Sequence, residues 1–176
     1  IKMTEEQKSQ LNELLDSLKN ADNNSIKCFN EGTLSGVESV QYDKGDDYLE
    51  YHRDFECYSY TVNIEATNDE LIEHINHALE NDDYNSLFWI KSEFGYSGNV
   101  ESDDLEYNNY RLNNCSLDDD EIPEEILDED GEIDESKLED NGWSFEIMDQ
   151  EDEVDDSETT EISIAVNDKQ FTFKSD

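Results

Sequence analysis

The chain predicts an α+β fold: an antiparallel sheet with two or three helices and an acidic insertion. Three observations predict it. Leu11, Leu14, Leu15 and Leu18, and again Leu71, Ile72, Ile75, Ala78 and Leu79, recur at helical spacing. From Cys57 onward the chain alternates, with Tyr58, Tyr60, Val62 and Ile64 on one face and Cys57, Ser59, Thr61 and Asn63 on a wetter one, as an antiparallel strand does. Finally, 9 Tyr, 7 Phe and 2 Trp are too many aromatics for a solvated tail, even though hydrophobic residues make up only 34% of the chain against the usual ~45–50%.

Residues 4–20 read as the first helix, opened by Thr4 and Gln7 at capping-box spacing and ended by Asn20, Asp22 and Asn23. Residues 26–30 and 36–42 read as short strands, with Gly32 and Gly36 marking the turn between them, and Lys44-Gly45-Asp46-Asp47 as a second turn. Thr67 and Glu70 open the second helix, which runs to about Glu80. Leu87-Phe88-Trp89-Ile90 reads as a compact buried strand, Gly95 and Gly98 break the chain after it, and residues 102–110 read as a short helix. Residues 116–142 are an acidic stretch with scattered Ile and Leu. Trp143–Met148 is another strand, residues 149–158 are a second acidic run, and residues 161–173 close the chain as a hairpin turning at Asn167-Asp168. No internal repeat is evident. One domain spans residues 1–176, in a helix-strand-helix portion (1–100), a highly acidic portion (101–160) and a C-terminal hairpin (161–176).

Charge dominates the function classes. Fifty Asp and Glu against 11 Lys and Arg give a formal net charge of −39. Residues 101–160 alone hold 26 acids and 2 bases, while residues 1–100 hold 21 and 7. Such self-repulsion lowers folding stability, so a concentration of it in one block points to a functional face. It excludes direct nucleic-acid binding, which needs a basic patch, and anionic membranes would repel the same surface. With no apolar leader at IKMTEEQK, the expected location is the cytoplasm, the host cell's if the gene is a phage's. The three cysteines, Cys28, Cys57 and Cys115, form no C-x-x-C pair and read as reduced thiols.

Chemical motifs fail one by one. Placing Gly131 at position 6 of a calcium loop fits Asp128, Asp130, Ile133 and Asp134, but puts Ile126 at position 1 and Lys137 at position 12, where a bidentate Glu belongs. His74 and His77 stand near Glu70, Glu73 and Glu80 without a zinc motif. Gly95-Tyr96-Ser97-Gly98 lacks the last glycine of a nucleophile elbow. The reading is therefore of no enzyme, no cofactor and no metal site.

What remains is a surface for a basic partner. Phosphates along one duplex strand lie about 6–7 Å apart, and exposed strand residues at i and i+2 stand at nearly the same spacing, as do helix residues at i and i+4. Carboxylates can therefore imitate a polyanion. The expected contact residues are Asp118, Asp119, Asp120, Glu121, Glu124, Glu125, Asp128, Glu129 and Asp130. A second cluster is Asp103, Asp104 and Glu106, and a third is Asp149, Glu151, Asp152, Glu153, Asp155 and Asp156.

In this profile, small, very acidic, α+β and poor in cysteine, the chain resembles the phage-encoded DNA-mimic inhibitors, the anti-CRISPR and anti-restriction proteins. Cys28-Phe-Asn-Glu-Gly-Thr-Leu-Ser-Gly36 is similar to a stretch of antirestriction proteins of the ArdA type, and Phe171-Thr-Phe-Lys-Ser175 to the tail of acidic type II anti-CRISPRs. The resemblance implies a partner that is a Cas effector or a restriction enzyme, bound at its nucleic-acid or PAM-reading site. A basic toxin nuclease, neutralised by an immunity protein or antitoxin, is the alternative, and a halophilic or cation-binding protein is a third reading.

Overall fold

The computed structural model describes residues 2–176. Five antiparallel strands form one sheet: β1 (Ser25–Lys44), β2 (Asp47–Ile64), β3 (Glu106–Cys115), β4 (Ser144–Val166) and β5 (Lys169–Lys174), in the order β3-β2-β1-β4-β5. Three α-helices accompany it: α1 (Glu5–Lys19), α2 (Asn68–Glu80) and α3 (Ile90–Phe94). The class is the α+β one that the sequence predicts. The chain divides into two compact units. The first comprises the chain up to Thr33 with Tyr58–Asp104 and Asp156–Asp176. The second comprises Leu34–Cys57 and Leu105–Asp155.

In the first unit both predicted caps form. Thr4 Oγ1 accepts the Gln7 N–H at 3.1 Å while Gln7 Oε1 accepts the Thr4 N–H at 2.9 Å, and Thr67 and Glu70 repeat the exchange at 3.1 and 3.0 Å. α1 buries Leu11, Leu14, Leu15 and Leu18, α2 buries Leu71, Ile75 and Ala78, and the two helices pack on each other. The same unit buries Ile26, Cys28, Val62 and Ile64 with Ile162, Ile164, Phe171 and Phe173 of the closing hairpin. That hairpin turns at Asn167 (φ 54°), where a left-handed residue is needed. Leu87–Ile90 is not the predicted strand. Tyr84–Trp89 is a 3₁₀ segment running into α3, because a short apolar run cannot by itself separate a buried strand from a buried helical turn.

Burial pushes the Cys28 thiol up to about 12, with Lys91 opposing the shift. Cys57, expected on the wetter face of β2, is also fully buried, whereas Cys115 is only partly covered. At pH 8 a thiol reagent should therefore modify one cysteine, Cys115, in the native protein and all three only in denaturant. Fast native-state labelling of Cys28 would contradict this burial.

In the second unit the strands and the acidic insertion share one core. Val40, Tyr42, Leu49 and Tyr51 of β1 and β2 pack with Ile126, Leu138 and Trp143, and Leu117, Ile122, Ile133 and Ile147 flank them. The scattered apolar residues of 116–142 are thus its anchors. Between them the chain makes one-turn 3₁₀ segments at 119–121, 124–126, 135–137 and 139–141. Leu138→Ala should cost about 2–5 kcal/mol, read as a lowered urea midpoint. Among the described residues, the Tyr51 hydroxyl and the Trp143 indole nitrogen are buried without a hydrogen-bond partner. Tyr51→Phe should accordingly raise stability by about 1 kcal/mol, since it removes an unsatisfied buried group.

Two further expectations are corrected. Residues 102–110 form no helix: Glu106–Cys115 is β3, paired with β2, and its pairing shifts register opposite His52–Asp54, near Asn109 at φ 53°. Residues 26–42 are one strand, and Gly32 and Gly36 are not its turn. A Cβ on Gly32 (φ 127°) would stand 2.5 Å from the Asp156 carbonyl oxygen, and one on Gly36 would collide with the Glu151 carbonyl and lie 2.6 Å from the Phe55 ring. These glycines let the backbone of β4 approach closely. The second acidic run, 149–158, is the middle of the 23-residue β4.

Candidate partner-binding surface

The second unit holds 28 acids and 4 bases, a net charge of −24 in 75 residues. Each of the four bases is engaged within the unit. Lys44 Nζ donates to the Asn141 carbonyl at 2.9 Å and Lys137 Nζ to that of Leu127 at 2.8 Å. Arg111 pairs with Asp54 at 3.1 Å, and Arg53 pairs with Glu38 in the interior. With four cations against 28 acids, the unit keeps a large negative charge at its surface.

β4 carries the most regular of the exposed carboxylates. Asp149, Glu151, Glu153 and Asp155 occupy alternate positions and are all exposed, with Asp152 and Asp156 also exposed between and beyond them. Side chains at i and i+2 of a strand share a face about 6–7 Å apart. β5 pairs with Glu161–Val166 of β4, so residues 144–156 lie beyond its reach. Charges along a strand that its neighbour does not cover deter pairing with a second sheet.

One residue breaks the run and fixes it in place. Gln150 turns inward and its Nε2 donates to Glu38 Oε1 at 2.6 Å. Glu38 is 1% exposed, and its Oε2 accepts Arg53 Nε and Nη2, each at 2.9 Å. The Arg53 guanidinium lies 3.6 Å from the Tyr107 ring centroid and 5.3 Å from that of Phe145. An aromatic-clamped ion pair thus holds the acidic strand to β1 and β2.

The insertion displays its acids differently. Asp118, Asp119, Asp120, Glu121, Glu124, Glu125, Glu129 and Asp130 are exposed, but on 3₁₀ turns and bends, so the helical i,i+4 spacing is not realised there. Several have local work. Asp118 and Glu121 form a capping box, and Asp128 Oδ1 accepts the N–H groups of Asp130 and Glu132 at 2.8 and 3.0 Å, closing the turn at Gly131. In the second expected cluster, Asp103 and Glu106 are exposed. The carboxylate of Asp104 accepts the Ser102 hydroxyl at 2.5 Å and the Tyr58 N–H at 3.0 Å, and these bonds hold it below the usual range.

Glu135 behaves in the opposite sense. Burial, then the neighbouring Asp134, raises its pKa. An acid raised by folding disfavours the fold wherever it is ionised, and this cost disappears as pH falls below its unfolded value. Glu135→Gln should thus raise the melting temperature at pH 7, with the gain vanishing below the ordinary carboxylate range.

Among the described residues, Asp118, Asp120 and Glu121 bring carboxylate oxygens within 4.8 Å of one another, all on the open surface. His74 Nε2 lies 3.0 Å from the Leu87 carbonyl, His77 Nδ1 lies 3.3 Å from the Asn81 amide, and Glu70 caps α2. These histidines are engaged elsewhere, and Glu70 does not aim at a shared ion.

Comparison with protein-family models, with curated proteins and with solved structures finds no match for this chain.

Sequence reasoning named the acidic residues of β4 but missed Glu38, Arg53 and Gln150, which position them. A lone amide inside Asp-Gln-Glu-Asp-Glu was the available signal for the inward Gln150.

Proposed function

We propose that the protein is a DNA-mimic inhibitor, whose acidic surface occupies the basic nucleic-acid-binding site of a defence nuclease such as a Cas effector or a restriction enzyme. The observation that carries this reading is the row Asp149, Glu151, Glu153 and Asp155 on β4, exposed at alternate positions of one continuous strand. A row at that repeat matches the spacing of phosphates along a strand. Because the polar chain Gln150–Glu38–Arg53 fixes β4 from beneath, the carboxylates are held in place before binding, which lowers the ordering cost of association. A lysine- and arginine-lined cleft would be drawn to this surface rapidly and in a salt-sensitive way.

The experiment is a cleavage assay with purified RNA-guided nucleases and restriction enzymes. The expected result is inhibition of at least one of them, relieved when duplex DNA is added in excess. Inhibition of none, or inhibition that excess duplex leaves unchanged, contradicts the reading. Inhibition confined to a toxin-type nuclease would support the immunity-protein alternative, whose electrostatics are the same.

A further inference from the structure

A second surface lies in the first unit, outside the acidic row. The 3₁₀ segment Tyr84–Trp89 and α3 bury Tyr84, Leu87, Phe88 and Ile90, with Tyr84 and Phe88 stacked edge to face at 5.2 Å. This arrangement turns Trp89 outward, where it is 67% exposed, against 4% for Trp143. Trp89 does not stand on a flat surface. With Phe88, Lys91, Glu158 and Asp176 it lines a cavity of about 490 Å³.

The charges around that cavity define its guest. Glu158 and Asp176 are exposed. Lys91 is held at the wall: its Nζ lies 2.6 Å from the Tyr60 hydroxyl, 2.9 Å from Ser157 Oγ and 5.1 Å from the Tyr60 ring centroid. The two carboxylates are thus placed to receive a cation beside an open indole. An anion would meet both of them, and a purely apolar segment would desolvate them without a partner. Lysine is a compact, strongly hydrated charge. Arginine is planar, stacks on indole, and presents a fork of donors to carboxylates.

We propose that this cavity receives an arginine side chain of a basic partner protein, with its guanidinium over Trp89 and hydrogen-bonded to Glu158 and Asp176. The proposal deepens the DNA-mimic reading and rests on it only for a basic partner. It adds a contact chosen by shape and stacking, whereas the acidic row selects by charge alone. A polycation that satisfies the row but offers no arginine here would then be discriminated against.

The test is a titration of the blocked tripeptide acetyl-Gly-Arg-Gly-amide, with its lysine counterpart, into the ¹⁵N-labelled protein at physiological salt. The expected result is saturable shifts at the Trp89 indole N–H and at Glu158 and Asp176, with the lysine peptide about tenfold weaker. Trp89→Ala, Glu158→Gln and Asp176→Asn should each weaken binding several-fold while their remaining spectra overlay the wild type. Glu6→Gln, which removes the same charge from an exposed position on α1, should leave the affinity unchanged. Shifts scattered over residues 118–130 and 149–155 with none at the Trp89 indole would overturn the proposal. So would equal affinity for the two peptides, or unchanged affinity in the Trp89 and Glu158 variants. Arginine binding here together with a failed cleavage assay would sink only the mimic reading. Inhibition without arginine binding would sink only this one.

Discussion

Arg53→Ala is expected to destabilise the protein by about 3–5 kcal/mol, the range for breaking a buried ion pair from one side. Glu38 is 1% exposed and Arg53 8%. Removing the guanidinium leaves the Glu38 carboxylate in the interior, where the Gln150 amide at 2.6 Å cannot replace the lost positive charge. The Tyr107 ring, 3.6 Å from the guanidinium, loses its stacked partner as well. Arg53→Lys should recover little, because an ammonium cannot make the paired contact to Oε2 and stack on Tyr107 together. The double replacement Glu38→Leu with Arg53→Met should recover most of the stability, since it removes both charges and fills their volume with apolar atoms. Urea midpoints of the four proteins at pH 7 check this. A single Arg53→Ala loss below about 1 kcal/mol would mean that the pair is solvated. The double variant also separates stability from positioning: it should fold, yet β4 would have lost the acceptor for Gln150.

Reversing Asp149, Glu151, Glu153 and Asp155 together to lysine is expected to abolish inhibition, lowering affinity for the inhibited nuclease at least about 100-fold. Each reversal replaces an attraction by a repulsion in a basic cleft, and mispaired charges at an interface cost several kcal/mol. The fold should survive, because all four side chains are exposed on β4 and the change relieves part of the net charge of −39. Neutralising the same four to Asn and Gln should give an intermediate loss. Reversing Asp118, Asp119, Asp120 and Glu121 should cost less, because those side chains sit on a 3₁₀ turn where Asp118 and Glu121 already cap the local backbone. Inhibition by the four-lysine protein at wild-type strength, with an unchanged amide spectrum, would remove β4 from the contact.

Much of the fold was legible where a local rule decides the structure. Thr4 with Gln7, Thr67 with Glu70, and Asn167 at the last turn all act as their spacing predicts. What was not legible was decided by distant residues. Gly32 and Gly36 read as a turn because the approach of Asp156 and Glu151, more than a hundred residues away, is invisible in the local sequence. The run from Asp149 to Asp156 shows no strand pattern because Asp and Glu are poor strand formers, and pairing within the sheet overrides that preference. Charge alone located the acidic surface. It could not separate carboxylates presented to solvent, such as Glu151 and Glu153, from those spent on the local backbone, such as Asp104 and Asp128.

The most direct measurement asks whether this protein and DNA can share one enzyme. A nuclease inhibited in the cleavage assay is held with its labelled duplex, the protein is added, and the complexes are resolved by sedimentation. Occupation of the nucleic-acid site predicts two binary complexes that interconvert as the ratio of protein to duplex changes, and no ternary species. A stable ternary complex of nuclease, duplex and protein would contradict it.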